Sequence, residues 1–292
     1  MFLRKTSANY KVGGSNSFKY KLKCSEKITE QTPTTQGWLV IKQLLMEKHP
    51  VLLGELIKLD KTVVVKFGTP DEIKKDYAIA QKIQDIPNMI KYYCVFTCND
   101  SHVMKMASGD FTYNIRPFMC DGKGVQISSI IMPYYPLSNI NKYKWTRQTF
   151  PVLKNVLKQV VTAMLYAYAQ HNFIHGDLHL ENILLRKTKK KSATYNDVTI
   201  PIDTLYAILL DFGKSKCVPG FQYLVYKDIR RLLNLVPSME ESDIVVYTET
   251  KAINKIENDN TPITYAVFQI IWNIIDDMVI GYAKSERPPM PW

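Results

Sequence analysis

The chain has little cysteine, no long unbroken apolar run and no internal repeat, and each lack narrows what it is. Five cysteines occur in 292 residues: Cys24, Cys94, Cys98, Cys120 and Cys217. An odd number at irregular spacing argues against a disulfide framework. Cys94 and Cys98 flank the apolar run Val95-Phe96-Thr97 and read as reduced core thiols, because no second Cys/His pair stands nearby to complete a metal site. The opening Met1-Phe2-Leu3-Arg4-Lys5 lacks the apolar stretch of a signal peptide. The most apolar late segment, 265–283, is interrupted by Asp276 and Asp277, so it reads as a core helix and not as a membrane span. An intracellular, cytoplasmic, reducing setting is the expectation that follows. No repeat period of a solenoid or propeller is present.

What is there is globular in character. Hydrophobic residues make up 46% and charged residues 22% of the chain. A chain of this length buries about three quarters of its unfolded surface, enough for one or two cores without staples. The formal net charge is +11. A basic surface of that kind suits polyanions, whether acidic protein partners, nucleic acid or ATP itself. The one dense basic run is Arg186-Lys187-Thr188-Lys189-Lys190-Lys191, which reads first as a solvated loop. No nucleic-acid-binding motif accompanies it.

Periodicity divides the chain near residue 135. Residues 1–35 are polar, with a short strand expected at 18–22. The apolar spacing over 37–48 predicts a helix limited by Pro50. Two strands are expected at 51–59 and 62–67, joined tightly at Asp60-Lys61. Thr69-Pro70-Asp71-Glu72 is a cap, a proline and two acids, and starts a helix running to about residue 84. Strands at 90–96 and 126–132 follow, then a linker-like stretch at 133–143. From 147 to 171 one long helical pattern takes over, with Val152, Leu153, Val156, Leu157, Val160, Val161, Met164, Leu165 and Tyr168 at three- and four-residue steps. The expectation is an α+β chain, with a strand-rich unit over 1–135 and a helical unit over 136–292.

Two motifs carry the chemistry. One is His175-Gly176-Asp177-Leu178-His179-Leu180-Glu181-Asn182. The other is Asp211-Phe212-Gly213, placed after the apolar run Ile208-Leu209-Leu210. Phosphoryl transfer asks a protein for a carboxylate beside the attacking hydroxyl and for oxygen ligands that fix Mg²⁺ on the phosphates. Asp177 can supply the first, and Asn182 with Asp211 the second. His171, His175 and His179 also stand four apart, as on a metal-binding helix face. Gly176-Asp177 speaks against a continued helix there, and Asn182 with Asp-Phe-Gly accounts for the site better.

The pattern resembles the protein-kinase superfamily, whose catalytic loop reads His-Arg-Asp-x-x-x-x-Asn and whose metal loop reads Asp-Phe-Gly. The resemblance covers roughly residues 50–235 by order of elements. It implies a two-lobed fold, with a small β-rich N-lobe and a larger helical C-lobe, binding ATP and Mg²⁺. By the same resemblance Asp177 is the catalytic base, and Asn182 and Asp211 hold the metal. Lys66, in Val63-Val64-Val65-Lys66, is the strand lysine that contacts the α- and β-phosphates. Its partner is an acid on the following helix, Asp76 or Glu72, with the family spacing favouring Asp76. Met132 is the gatekeeper, and the backbone of Pro133 and Tyr135 bonds adenine. Tyr226-Lys227-Asp228 resembles the helix whose Asp braces the catalytic loop.

The departures from the family pattern matter as much. Gly176 stands where protein kinases carry Arg, and His179 where they usually carry Lys. No Ala-Pro-Glu follows Asp-Phe-Gly, and no Gly-x-Gly-x-x-Gly precedes Lys66. His-Gly-Asp-x-His is similar to aminoglycoside and choline kinases. The short stretch after Gly213 is similar to compact kinases of large DNA viruses and to small atypical kinases, which makes a viral setting part of the expectation. Three readings follow: a protein kinase acting on Ser/Thr, a small-molecule kinase, and a non-enzymatic pseudokinase scaffold. The segment 186–206 lengthens the path from Asn182 to Asp211 and is expected to be a surface loop or hairpin that meets an acidic partner.

Overall fold

The computed structural model describes residues 39–46, 51–56, 61–100, 103–105, 111–113, 123–239 and 244–281. Strands β1 (Leu39–Met46), β2 (Val51–Leu56), β3 (Lys61–Gly68), β4 (Cys94–Asp100) and β7 (Val125–Pro133) form an antiparallel sheet in the order β1-β2-β3-β7-β4. A small hairpin of β5 (Val103–Lys105) and β6 (Phe111–Tyr113) lies between β4 and β7 in sequence. Alternation along β3 decides what faces where. Val63, Val65 and Phe67 are buried with Leu52, Phe96, Ile127 and Ile131 in a core on one face of the sheet. Val64 and Lys66 therefore point to the other face, where Ile130 and Met132 of β7 join the main core.

Across that second face runs α1 (Pro70–Ile83). Its start is the one the sequence predicts. Thr69 and Glu72 form a reciprocal capping box, which satisfies donors that the first turn would otherwise leave open. Its buried side consists of Ile73, Asp76, Ile79, Ala80 and Ile83.

Two expectations are overturned here. Residues 39–46 form a strand and not part of a helix over 37–48. The pairing of β1 with β2 is irregular between Ile41 and Gln43 and between Leu44 and Met46, which breaks the two-residue alternation and leaves a helix-like spacing behind. Cys94 and Cys98 are disulfide-bonded, not reduced. Four residues apart on one extended strand, they are too far apart to be bonded to each other. The argument from free thiols to a reducing compartment therefore falls. The strand expected at 18–22 lies outside the described residues.

The second half is built around α2 (Phe150–His171), whose Leu153, Val156, Leu157, Val160, Val161, Met164 and Leu165 are fully buried. Asn172 ends it in the left-handed region at φ 52°. Next come β8 (Phe173–Ile174), a 3₁₀ turn at Leu180–Asn182, β9 (Ile183–Lys187), β10 (Ser192–Tyr195), β11 (Val198–Pro201), β12 (Leu205–Leu209) and β13 (Lys216–Cys217). The chain closes with α3 (Gln222–Leu235), β14 (Val245–Tyr247), α4 (Lys251–Asn258), α5 (Tyr265–Asp276) and β15 (Val279–Gly281). The late apolar segment thus contains α5, and no helix among the described residues is long and apolar enough to cross a membrane. The described residues form an α+β fold.

The segment 186–206 is a hairpin with a buried face. β10 and β11 pair from Ser192↔Pro201 to Tyr195↔Val198, and Ala193, Tyr195 and Ile200 are buried. The Tyr195 ring meets Tyr166 of α2 edge-on at 5.6 Å, and its hydroxyl donates to Asn88 Oδ1. Asn88 in turn donates to Gln159 Oε1 at 3.0 Å and to the Ala207 carbonyl at 2.7 Å. Gln159 also accepts from Ala207 N at 3.0 Å and donates to the Leu205 carbonyl at 2.9 Å. This network ties the α1–β4 connection, α2, β12 and the hairpin together. Truncating Tyr195 to Ala should cost about 3–5 kcal/mol of stability by urea unfolding, while Ser192→Ala on the exposed face should stay within about 0.5 kcal/mol. Equal, small effects of the two would mean that the hairpin is only an appendage.

Candidate functional site

Lys66 leaves β3 on the face toward α1 and meets two carboxylates. Its Nζ donates to Asp76 Oδ2 at 3.0 Å and to Asp211 Oδ1 at 2.6 Å. Asp76 is almost fully buried, and its Oδ1 accepts from the Tyr92 hydroxyl at 3.0 Å and from Phe212 N at 3.2 Å. Glu72 is elsewhere: its Oε2 accepts from Thr69 N at 3.1 Å and from Thr69 Oγ1 at 2.8 Å. Of the two acids weighed as partners of Lys66, Asp76 is the one in contact. Burial works to lower the Lys66 pKa, but the charges of Asp76 and Asp211 outweigh it and hold the ammonium above its usual range. Burial works in turn to raise Asp211, yet the charge and hydrogen bond of Lys66, helped by Gly213 N–H, hold that carboxyl below its usual range. Lys66 and Asp211 therefore stay charged at neutral pH.

The catalytic-loop motif follows β8 and is held from two sides. His175 is fully buried, and its Nε2 lies 3.1 Å from the Leu210 carbonyl. A carbonyl can only accept, so Nε2 carries the proton and Nδ1 accepts from Asp177 N at 3.4 Å. Burial pulls the His175 pKa down to about 4, which keeps the ring neutral. Gly176 N donates to Asp228 Oδ2 of α3 at 2.9 Å. Gly176 sits at φ +76°, and a Cβ there would lie 2.8 Å from the Lys214 carbonyl oxygen. The missing arginine of the motif is thus explained by backbone geometry: the chain after Asp-Phe-Gly passes too close for any side chain. Ser215 Oγ fastens that passage by donating to the His175 carbonyl at 2.8 Å.

Asp177 projects from this loop with about a quarter of its side chain exposed. Lys214 Nζ lies 2.9 Å from its Oδ2 and Arg231 Nη1 lies 3.8 Å from its Oδ1. Neither cation was singled out from the sequence; Lys214 directly follows Asp-Phe-Gly, whereas Arg231 arrives from α3. Asn182 is buried, and its Nδ2 donates to the Asp177 carbonyl at 3.0 Å and to His179 Nε2 at 3.0 Å. Because Nε2 accepts there, His179 at 4.0 Å from Asp177 is a neighbour more than an ion-pair partner. The backbone carbonyl of Asn182 accepts from Leu210 N at 3.1 Å, one residue before Asp211. Asn182 thereby joins the two motifs.

The donor types present at Asn182 and Asp211 are those a divalent ion such as Mg²⁺ takes. With Nδ2 engaged, Asn182 presents Oδ1, and Asp211 presents an ionised carboxylate at φ +66°. These are hard oxygen ligands. Among the described residues no group of three or more His, Cys, Asp or Glu is placed to hold a metal alone. An ion here would draw its remaining ligands from phosphate and water, as Mg²⁺ commonly does.

At the end of β7, Met132 is buried opposite Val64, and Pro133, opposite Val63, is the last residue of the strand. Tyr135 is half-buried beneath the Arg186 guanidinium, 5.9 Å from its ring centre. Phe212 is fully buried, with its ring 6.1 Å from Tyr92, 5.7 Å from Phe173 and 5.9 Å from His175. Lys75 of α1 donates to the Gly213 carbonyl at 3.1 Å. Tyr92 and Lys75 were missed from the sequence, since nothing local marks a tyrosine or a helix lysine as a brace for a distant loop.

A family model described as the ABC1 atypical kinase-like domain matches residues 126–237. That span holds Asp177, Asn182, Asp211 and Asp228, while Lys66 and Asp76 precede it. An uncharacterised protein of Caenorhabditis elegans is 36% identical over 77 residues, which are 25% of this chain and 26% of that protein. An uncharacterised protein of Invertebrate iridescent virus 6 is 31% identical over 74 residues, 23% of this chain and 12% of that protein. The matches thus span about a quarter and about an eighth of those two relatives. The chain carries a domain of the protein-kinase-like superfamily.

Two outcomes are expected of the loop itself. Gly176→Ala should lower the melting temperature by several degrees, because a Cβ at positive φ meets backbone and not a movable side chain. An unchanged melting temperature would contradict the close approach. Burial also raises Asp228 from 3.8 to about 6, against the pull of Gly176 N–H. An acid with a raised folded pKa contributes most below its unfolded value and loses that contribution as pH rises through the folded one. The melting temperature of Asp228→Asn relative to wild type should therefore climb between pH 4 and pH 7. A pH-independent difference would show that Asp228 is not strained by its burial. The opposite contribution of His175 is common to both proteins and cancels.

Proposed function

We propose that this chain is an ATP-dependent phosphotransferase that moves the γ-phosphate to an alcohol, with a protein serine or threonine as the acceptor. The observation that carries this reading is the charged cluster in which Lys66 bridges Asp76 and Asp211. It puts a cation beside the candidate metal-binding carboxylate, in the arrangement that a triphosphate and a divalent ion require. On this reading Lys66 holds the α- and β-phosphates, and Asp76 fixes where Lys66 points. Met132, Pro133 and Tyr135 border the adenine, and the Pro133 carbonyl can accept from its amino group. Asn182 and Asp211 would hold Mg²⁺, which when bound neutralises charge on the phosphates and aligns them.

Asp177 then acts on the acceptor. Its carboxylate accepts the hydroxyl proton as the oxygen attacks the γ-phosphorus, while the bond to the β-bridging oxygen breaks and ADP departs. His175, neutral and buried, positions the loop through its contacts with Leu210 and Asp177 N and does not itself need to titrate. One observation favours a second reading, a small-molecule acceptor. Only fourteen residues separate Gly213 from Asp228, a short stretch on which to lay a peptide.

The role of each residue is separable by experiment. Asp177→Asn should lower turnover by about 10²–10⁴-fold and leave Mg-ATP affinity near wild type. Asp211→Asn should abolish turnover and make nucleotide binding indifferent to Mg²⁺. Lys66→Met should weaken nucleotide binding with or without the metal. Calorimetry of ATP binding, with and without Mg²⁺, and a labelled-ATP transfer assay over protein and small-molecule acceptors supply the readouts. Wild-type turnover in Asp177→Asn would overturn the catalytic assignment.

A further inference from the structure

Asp177 is outnumbered by the cations that face it. Lys214 stands 2.9 Å from one carboxylate oxygen and Arg231 3.8 Å from the other. Two other cations nearby have carboxylate partners of their own. Lys66 has two carboxylates, and Arg230, next to Arg231 in sequence, is held by Glu257 through bonds of 2.8 and 3.2 Å. Among the described residues, Lys214 and Arg231 form ion pairs with Asp177 alone, so two cations flank one carboxylate, with the buried Asp228 also within the field of Arg231. Both are also exposed, at 70% and 55% of the side chain, whereas Asp177 is at 24%. The two cations therefore face the solvent from which an acceptor arrives.

From this geometry we propose that Lys214 and Arg231 select the acceptor, and that it is a peptide segment with acidic side chains close to the phosphorylated hydroxyl. The inference rests on the phosphotransferase reading of Asp177 and deepens it by naming the substrate class. A hydroxyl approaching Asp177 meets Lys214 and Arg231 at the carboxylate, with Lys214 hydrogen-bonded to one of its oxygens. Ion pairs made by long, exposed side chains are weak and easily exchanged. An acidic residue within about three positions of the hydroxyl, roughly 10 Å of extended chain, gives these cations a new partner and frees Asp177. A neutral peptide leaves Lys214 where it is. A basic peptide adds like charge beside Lys214 and Arg231. The two cations come from different elements, the turn after Asp-Phe-Gly and α3, so they flank the carboxylate and can grip acidic groups on either side of the hydroxyl.

The test uses the full chain with Mg-ATP and three serine peptides that differ only in flanking residues, which are Asp, Gln or Arg. The Asp peptide should exceed the Gln peptide at least tenfold in kcat/KM, with the Arg peptide lower still. The preference should shrink between 50 mM and 500 mM salt, because exposed charges are screened. Lys214→Glu with Arg231→Glu should invert the order, favouring the Arg peptide. If that double variant does not melt cooperatively, the wild-type series and its salt dependence decide by themselves. Equal transfer to all three peptides overturns the inference and leaves the phosphotransferase reading standing. Transfer to small alcohols but to no peptide overturns the protein acceptor, and this inference with it. No ATP-dependent transfer to any acceptor overturns the parent reading itself.

Discussion

The carboxylate of Asp76 is the point at which the sheet, α1 and the metal-loop motif are joined. It accepts from Lys66 of β3, from the Tyr92 hydroxyl and from the backbone of Phe212. A buried charge with three donors is satisfied; the same charge with one donor removed is costly, at about 3–5 kcal/mol for a broken buried pair. The arrangement is thus cooperative: moving α1 outward strips Asp76 from Phe212 N and Lys66 together. Aromatic rings follow the same route. Tyr77 stacks on Tyr92 at 6.5 Å, and Tyr92 leads through Phe212 to Phe173 and His175. The placement of Asp211 beside Lys66 therefore depends on packing several residues away from either.

Much of this was legible in the sequence because the chemistry is local. Asp177 and Asn182 lie five apart, Asp-Phe-Gly is contiguous, and the start of α1 is written in Thr69-Pro70-Asp71-Glu72. That same capping box could have settled the partner of Lys66, since a Glu72 engaged with Thr69 is not free to reach it. Other features were out of reach for physical reasons. The irregular pairing of β1 erases the period that identifies a strand. The reason for Gly176 in place of Arg lies in the Lys214 carbonyl, thirty-eight residues away. Lys214 and Arg231 meet at Asp177 only because the turn after Asp-Phe-Gly and α3 converge, and no spacing in the chain announces that. The bonded state of Cys94 and Cys98 was likewise hidden, because a cysteine on an apolar strand face looks the same with or without a partner.

The two halves of the catalytic loop are held by different physics. His175 is kept neutral by burial and serves as a rigid spacer between Leu210 and Asp177. Asp228 is buried with one backbone donor on one oxygen, which leaves its charge poorly compensated. Such incompletely compensated buried groups are common at sites that trade stability for geometry.

The register of β9 with β12 has an implication beyond packing. Ile183 pairs with Leu209 at one end of the ladder and Lys187 with Leu205 at the other. Asn182 and the chain leading to Asp211 are thus adjacent because of the ladder, whatever length of chain joins its far ends. The connection is free to drift in length without retuning the spacing of the two oxygen donors. Its outermost point, the two-residue turn at Asn196-Asp197, is exposed and remote from the ladder. A peptide tag or new chain termini introduced between those two residues would leave the site's own frame intact, which makes that turn a natural handle for immobilising or labelling the protein.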